Sequence, residues 1–177
     1  NINCNDASGA KGYYVTITNC VNNGNITAGG DAQYAAGIAS TVQNNLATTI
    51  SNCVNYGEIN GTHDSGGIVG HTTQAMMKLS LCENFGNVTT TSDQYAGGIV
   101  GYAYASGVTT CAYILNNLNV GNVVSQGASV GTASYFLGYI NSKGISKITG
   151  NVGLGTLTAA SGCTIALGWN EGAECEF

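Results

Sequence analysis

Residues 53–59 read Cys53-Val54-Asn55-Tyr56-Gly57-Glu58-Ile59, and the same frame occurs at four other places in the chain. Cys20-Val21-Asn22-Asn23-Gly24-Asn25-Ile26 precedes it, and Cys82-Glu83-Asn84-Phe85-Gly86-Asn87-Val88 follows it. Asn117-Leu118-Asn119-Val120-Gly121-Asn122-Val123 keeps the frame without the cysteine. Asn151-Val152-Gly153-Leu154-Gly155-Thr156-Leu157 keeps only the glycine and the closing aliphatic. The glycine column therefore runs 24, 57, 86, 121, 155, in steps of 33, 29, 35 and 34 residues. A second block trails each first one: Gly37-Ile38-Ala39-Ser40, Gly67-Ile68-Val69-Gly70, Gly98-Ile99-Val100-Gly101, and the looser Phe136-Leu137-Gly138 and Ala166-Leu167-Gly168.

Each unit holds two or three short β-type stretches, with Val15-Thr16-Ile17 and Thr49-Ile50-Ser51 as examples of the third, separated by Gly, Asn, Asp and Ser. No segment sustains a 3.6-residue apolar period; the best, Gln74 to Leu81, is short and reads as an inserted turn. Short strands recurring at this interval, with loops of drifting length, predict an all-β chain folded as a parallel β-solenoid (a β-helix) of about five coils, 29–35 residues each. The 177 residues make one domain, with the solenoid over 15–169. The segments 1–14 and 170–177 are expected to be caps or assembly segments, the second being the most acidic stretch.

Strand residues alternate sides, so Cys53, Asn55, Gly57 and Ile59 share one face and Val54, Tyr56 and Glu58 the other. Asn25 and Asn87 fall in the Glu58 column and belong to Asn-x-Ser/Thr sequons, which require an outward position. The inward columns are then Cys20/Cys53/Cys82, Asn22/Asn55/Asn84/Asn119 and Ile26/Ile59/Val88/Val123/Leu157. A buried asparagine column is stable when each amide bonds the next. The alternative is that Asn-x-Gly marks a corner, with Asn in a turn conformation. On the outer side, Val54, Tyr56, Phe85, Leu118, Val120, Val152 and Leu154 form a stripe that grows more apolar toward the later coils. Such a stripe is covered either by another part of the chain or by another subunit, and these residues are the candidate assembly face.

The paired blocks, Asn-Cys-x-Asn-x-Gly-x-Ile/Val and Gly-Gly-Ile-Val-Gly, resemble the GLUG-motif repeats of bacterial surface proteins, named for Gly-Leu-x-Gly. Ile68 and Ile99 stand in the leucine position. The likeness is close over about residues 15–125 and looser over 126–170. It implies an extracellular, surface-associated repeat protein and brings no catalytic residue with it.

Composition narrows the function. Charged residues are 7% of the chain against roughly 25% in an average domain. Four lysines, no arginine and nine acids give a net charge of −5, which argues against nucleic acid and anionic membrane partners. No apolar run reaches the roughly 18 residues of a spanning helix, so membrane insertion is not expected. The chain opens at Asn1 rather than on a methionine or an apolar leader, as a processed product or fragment would. Seven cysteines (Cys4, Cys20, Cys53, Cys82, Cys111, Cys163 and Cys175) are the disulfide candidates. Their odd number leaves at least one thiol free or paired between chains. With the three sequons at Asn25, Asn60 and Asn87, the candidate glycosylation sites, they predict a secreted or cell-surface location.

Candidate chemistry is sparse. Asp31, Asp64 and Asp93 each fall seven residues after the column glycine, and a stack of them would be a weak calcium site; no other cofactor is expected. His63-Asp64-Ser65 contains triad residue types, but adjacent residues point apart, and His71 is the other histidine. Gly66-Gly67-Ile68-Val69-Gly70 lacks the Lys-Ser/Thr ending of a phosphate loop. The expectation is therefore a non-enzymatic extracellular structural protein. It would assemble head-to-tail with copies of itself into a filament or surface layer. Two alternatives carry their own residues: a glycan-binding adhesin using Tyr34, Tyr95 and nearby tyrosines, and an ice-binding face on Thr27, Thr89 and Thr158, interrupted by Asn60 and Val124.

Overall fold

The computed structural model describes residues 2–3, 14–30, 32–43, 47–73, 76–92, 94–105, 112–128, 131–142 and 147–166. They form a parallel β-solenoid of about four turns, close to the five coils expected. Each turn passes through five sheets of five strands. In the order the chain meets them after residue 14, the first sheet stacks Tyr14–Thr18, Ala47–Ser51, Met76–Ser80, Ala112–Leu115 and Lys147–Thr149. The second stacks Val21–Asn22, Val54–Asn55, Glu83–Asn84, Leu118–Asn119 and Val152–Gly153. The third stacks Ile26–Thr27, Ile59–Gly61, Val88–Thr90, Val123–Ser125 and Leu157–Ala159. The fourth stacks Ala35–Ala36, Ser65–Gly66, Tyr95–Gly97, Thr132–Ser134 and Thr164–Ala166. The fifth stacks Ile2–Asn3, Ala39–Gln43, Val69–Thr73, Val100–Ala105 and Leu137–Ser142. Of the expected terminal segments, Ile2–Asn3 pairs with Val42 and Gln43, Tyr14 opens the first sheet, and 170–177 lie outside the described residues.

The stretch read as an inserted turn is instead largely a strand. Met76–Ser80 takes its place in the first sheet, with Met77 and Leu79 buried and Met76 and Lys78 exposed. Period-two alternation with its neighbours decides this, since Leu79 pairs with Ile50 and Ile114 in the core. Each first-sheet strand ends at a left-handed corner held by Asn19, Asn52, Leu81 and Asn116, with φ of 53 to 56°, and by Gly150 at 67°. Asparagine and glycine adopt that conformation cheaply. Leu81 does not, and its side chain is 56% exposed.

The expected columns hold in register. Ile26, Ile59, Val88, Val123 and Leu157 pair in series, and Ile59, Val88 and Val123 are fully buried. Beside them the asparagine ladder is complete. Asn22 Nδ2 donates to Asn55 Oδ1 at 2.7 Å, Asn55 Nδ2 to Asn84 Oδ1 at 2.7 Å, and Asn84 Nδ2 to Asn119 Oδ1 at 2.8 Å. Each Nδ2 also donates to a carbonyl two residues on, at Gly24, Gly57, Gly86 and Gly121. The ladder and the corner are thus one device, built from both amide protons. The column glycines are required by close approach: a Cβ at Gly57, Gly86, Gly121 or Gly155 would collide with the carbonyl of the glycine one rung earlier.

The last rung departs from the pattern twice, and the two departures fit each other. In three turns a glycine of the second block packs against the asparagine amide, Gly37 on Asn55, Gly67 on Asn84 and Gly98 on Asn119. In the fourth, Tyr135 occupies the glycine position and Gly153 the asparagine position, so that the ring lies over Gly153. Tyr135 Oη donates to the Gly155 carbonyl at 3.0 Å, as asparagine Nδ2 does in the other rungs. Tyrosine here fills the space and supplies the missing donor, closing the ladder. Gly153→Asn alone drives a side chain into the ring, and Tyr135→Gly alone leaves a cavity and an unpaired carbonyl. Each is expected to cost about 3 kcal/mol. The double variant rebuilds an ordinary rung, and urea denaturation of all four proteins should give a coupling energy of about 2 kcal/mol in favour of the pair.

Candidate functional site

The fourth and fifth sheets fold tightly together because glycine leaves no side chain between them. A Cβ at Gly66 would collide with the Val69 carbonyl, and one at Gly97 with the Val100 carbonyl. This corner brings two columns of large side chains side by side. Tyr34, Asp64 and Tyr95 lie at the start of the fourth-sheet strands, and His71, Tyr102 and Tyr139 are paired in the fifth. The rings form one ladder. Tyr34 stacks on His71 with centroids 4.2 Å apart, His71 on Tyr102 at 4.7 Å, and Tyr102 on Tyr139 at 5.5 Å. Tyr95 contacts Tyr139 at 4.5 Å and Tyr102 at 5.5 Å, and Tyr104 flanks Tyr102 at 6.4 Å.

Under the ladder lies a buried polar pair. His71 Nδ1 and Asp64 Oδ2 are 2.6 Å apart, with side chains 11% and 4% exposed. Asp64 Oδ1 is buried without a hydrogen-bond partner. Burial, and then the Asp64 carboxylate, raise the pKa of the Tyr34 phenol above its ordinary value. A buried carboxylate held on one oxygen depends strongly on the partner it has.

The register gives Asp64 aromatic neighbours: Ser65 pairs with Ala35 and Ala96, which sets Asp64 beside Tyr34 and Tyr95. Asp31 and Asp93 lie outside the described residues, and those residues contain no cluster of three or more His, Cys, Asp or Glu side chains that could hold a metal ion. Counts from the glycine column and from the strand differ here because the loop before the fourth sheet varies in length. His63-Asp64-Ser65 does not converge either: Ser65 Oγ donates to the His63 carbonyl, while Asp64 turns to His71. The sequence signal for the ladder was the position directly after the second block, occupied by His71, Tyr102 and Tyr139 in turn. For the adhesin alternative, the consequence is geometric: Tyr34 and Tyr95 already use ring faces on His71, Tyr102 and Tyr139.

The disulfide expectation fails where the cysteines are described. Cys20, Cys53, Cys82 and Cys163 are free thiols. Cys20, Cys53 and Cys82 point the same way in successive rungs, and each Sγ donates to a carbonyl, of Thr18, Ser51 and Ser80 respectively. Asn117 and Asn151 continue that column, their Nδ2 atoms donating to the Leu79 and Ile114 carbonyls as the Cys53 and Cys82 thiols approach those of Ile17 and Ile50 in earlier turns. Burial pushes the Cys53 thiol up and the Cys82 thiol up to about 12. Cys163 donates to the Gly127 carbonyl, and Cys4, Cys111 and Cys175 lie outside the described residues.

The outward positions are as expected. Asn25 and Asn87 are exposed, their Oδ1 atoms accepting the Glu58 and Asn122 backbone N–H, while Asn60 is half-buried in a third-sheet strand. Thr27, Asn60, Thr89, Val124 and Thr158 form one column. On the second sheet and the corner after it, Tyr56, Phe85, Val152 and Leu154 are exposed and Val54, Leu118 and Val120 half-exposed. Tyr56 and Phe85 stack at 5.1 Å. Among the described residues no helix is long and apolar enough to cross a membrane. Compared with protein-family models, curated proteins and solved structures, the chain matches none.

Two outcomes follow from this geometry. His71→Leu strands the Asp64 carboxylate with neither oxygen paired and should cost about 3–5 kcal/mol in chemical denaturation, whereas Asp64→Leu with His71→Leu should recover much of that loss. Cys53 and Cys82 should resist alkylation of the native protein at about pH 8 and react once it is unfolded, as read by mass spectrometry. The folded state holds these protons more tightly than the unfolded chain. The stability Cys82 contributes is therefore full below about pH 9 and drains as pH rises toward about 12, and Cys53 acts in the same direction.

Proposed function

We propose that this chain is a non-enzymatic structural repeat module of an extracellular surface, of the GLUG-repeat kind, that associates with further copies of itself into a filament or layer. The observation that carries the reading is the outer stripe of the second sheet. Val21, Val152 and Leu154 are 56%, 49% and 67% exposed, and Tyr56 is 54% exposed. Along the second-sheet column the sole charged residue is Glu83, between Val21 and Val54 on one side and Leu118 and Val152 on the other. A contiguous apolar strip on a chain this poor in charge supports contact with another surface of the same kind.

The two ends of the solenoid contribute differently. Asn22 Oδ1, at the first rung, accepts among the described residues only a local bond from Gly24 N–H at 3.2 Å. At the last rung, Gly153 and Tyr135 offer no amide to a copy stacked upon them. End-to-end contact therefore cannot prolong the ladder, and the stripe supplies the stronger contact in this reading. The solenoid also concentrates its polar interactions inside the wall, which supports a scaffold role over catalysis.

Sedimentation velocity and negative-stain electron microscopy of unreduced protein test this. Concentration-dependent assemblies are expected, and Val152→Lys with Leu154→Lys should shift them to monomer while leaving the circular dichroism spectrum unchanged. A protein that stays monomeric at high concentration overturns the reading, as do assemblies indifferent to the two lysines.

A further inference from the structure

We propose that Tyr95 and Tyr139 form an oxidative cross-linking site, joined ring to ring as a dityrosine when the protein meets a one-electron oxidant of the peroxidase or peroxyl-radical class. Tyr95, Tyr102 and Tyr139 are in mutual contact, and the Tyr95–Tyr139 pair is the tightest, with centroids 4.5 Å apart and planes 20° from parallel. The two come from different sheets that converge at the corner, so their rings overlap without any movement of one rung past another. All three side chains are half-buried, which leaves part of each accessible to a small oxidant while the rings are held in contact.

The chemistry balances within the pair. Each phenol gives up one electron to an equivalent of the oxidant and one proton to solvent, leaving two neighbouring phenoxyl radicals. Their unpaired electrons, shared with the ring carbons ortho to oxygen, couple into a carbon–carbon bond. The ring hydrogens at that bond then move to the phenolic oxygens and restore aromaticity. The product has lost two hydrogens, and the oxidant has gained two electrons. Holding the two rings in contact makes this coupling effectively unimolecular, so it outruns encounters between molecules.

Several competing groups among the described residues are badly placed. Cys53 and Cys82 are buried and held protonated, so neither offers a thiolate to quench a radical. Tyr14 and Tyr56 are more exposed, at 80% and 54%, but Tyr56 stacks on Phe85, which cannot form a phenoxyl. Among the described residues neither has a second phenol in ring contact. The covalent link would tie the third turn of the fourth sheet to the last strand of the fifth, across a wall otherwise closed by hydrogen bonds.

The test is photo-oxidation of dilute full-length protein with a ruthenium tris-bipyridyl complex and persulfate. Dityrosine fluorescence should appear in the monomer band on a denaturing gel. Peptide mapping should find the Tyr95 and Tyr139 peptides joined, lighter by two hydrogens. Tyr139→Phe and Tyr95→Phe, which keep the ring stack, should each lower the monomer signal about tenfold or more, and Tyr102→Phe should leave it in place. Fluorescence confined to covalent dimers overturns the proposal, as does a monomer signal that survives Tyr139→Phe or maps to other residues. Because the readout is taken on the monomer, it succeeds or fails independently of assembly.

Discussion

A buried carboxamide must find partners for two donors and an acceptor, and in this solenoid it finds them in its own copy one turn away. Asn22, Asn55, Asn84 and Asn119 sit 33, 29 and 35 residues apart, yet their amides meet at 2.7, 2.7 and 2.8 Å. An isolated asparagine in this wall would be costly. Four in register satisfy one another, and each spends its second proton on the carbonyl that shapes the next corner. The rest of the cross-section follows. Glycine must come two residues later, because the corner backbones stack in contact, and an aliphatic residue two beyond that returns the chain to the core. Loops may lengthen or shorten between the columns, but a shift of one residue within them would break the amide ladder and turn the core outward together.

A ladder of this kind needs a terminus, since its last amide has no successor. The chain terminates it by exchanging sizes, with tyrosine where glycine stood and glycine where asparagine stood. Tyr135 then fills the vacated volume and gives its hydroxyl proton to Gly155. The exchange polarises the molecule, with an acceptor facing outward at the first rung and an aromatic lid at the last.

The columns were legible because parallel stacking repeats chemistry at fixed register. One glycine column, read with period-two parity, placed Asn55 and Ile59 inside and Tyr56 and Leu154 outside. What stayed hidden depends on the variable loops or on pairs of positions. Asp64 aligns with Asp31 and Asp93 when counted from the preceding glycine, and with Tyr34 and Tyr95 when counted from the strand that follows; hydrogen bonding obeys the second count. Tyr135 and Gly153 each read as decay of the repeat and acquire meaning only together. Met76–Ser80 looked like a turn because two methionines and a lysine obscure the alternation that Ile50 and Ile114 make plain on either side.

The two aromatic features of the surface differ in what they leave available. At the corner of the fourth and fifth sheets, the rings of Tyr34, His71, Tyr95, Tyr102 and Tyr139 are engaged in stacking. A sugar ring that needs a flat aromatic platform finds little there, whereas a reagent that attacks ring edges finds several phenols already in contact. On the second sheet, Val21, Tyr56, Val152 and Leu154 present open apolar surface with little charge to solvate it. Burial of that surface has a driving force of roughly 25 cal/mol for each Å² removed from water. The same repeat thus produces a wall with stacked rings along one edge and bare apolar surface along another. The difference comes from whether the residue in the next turn is another ring to stack on or an aliphatic chain that leaves the face bare.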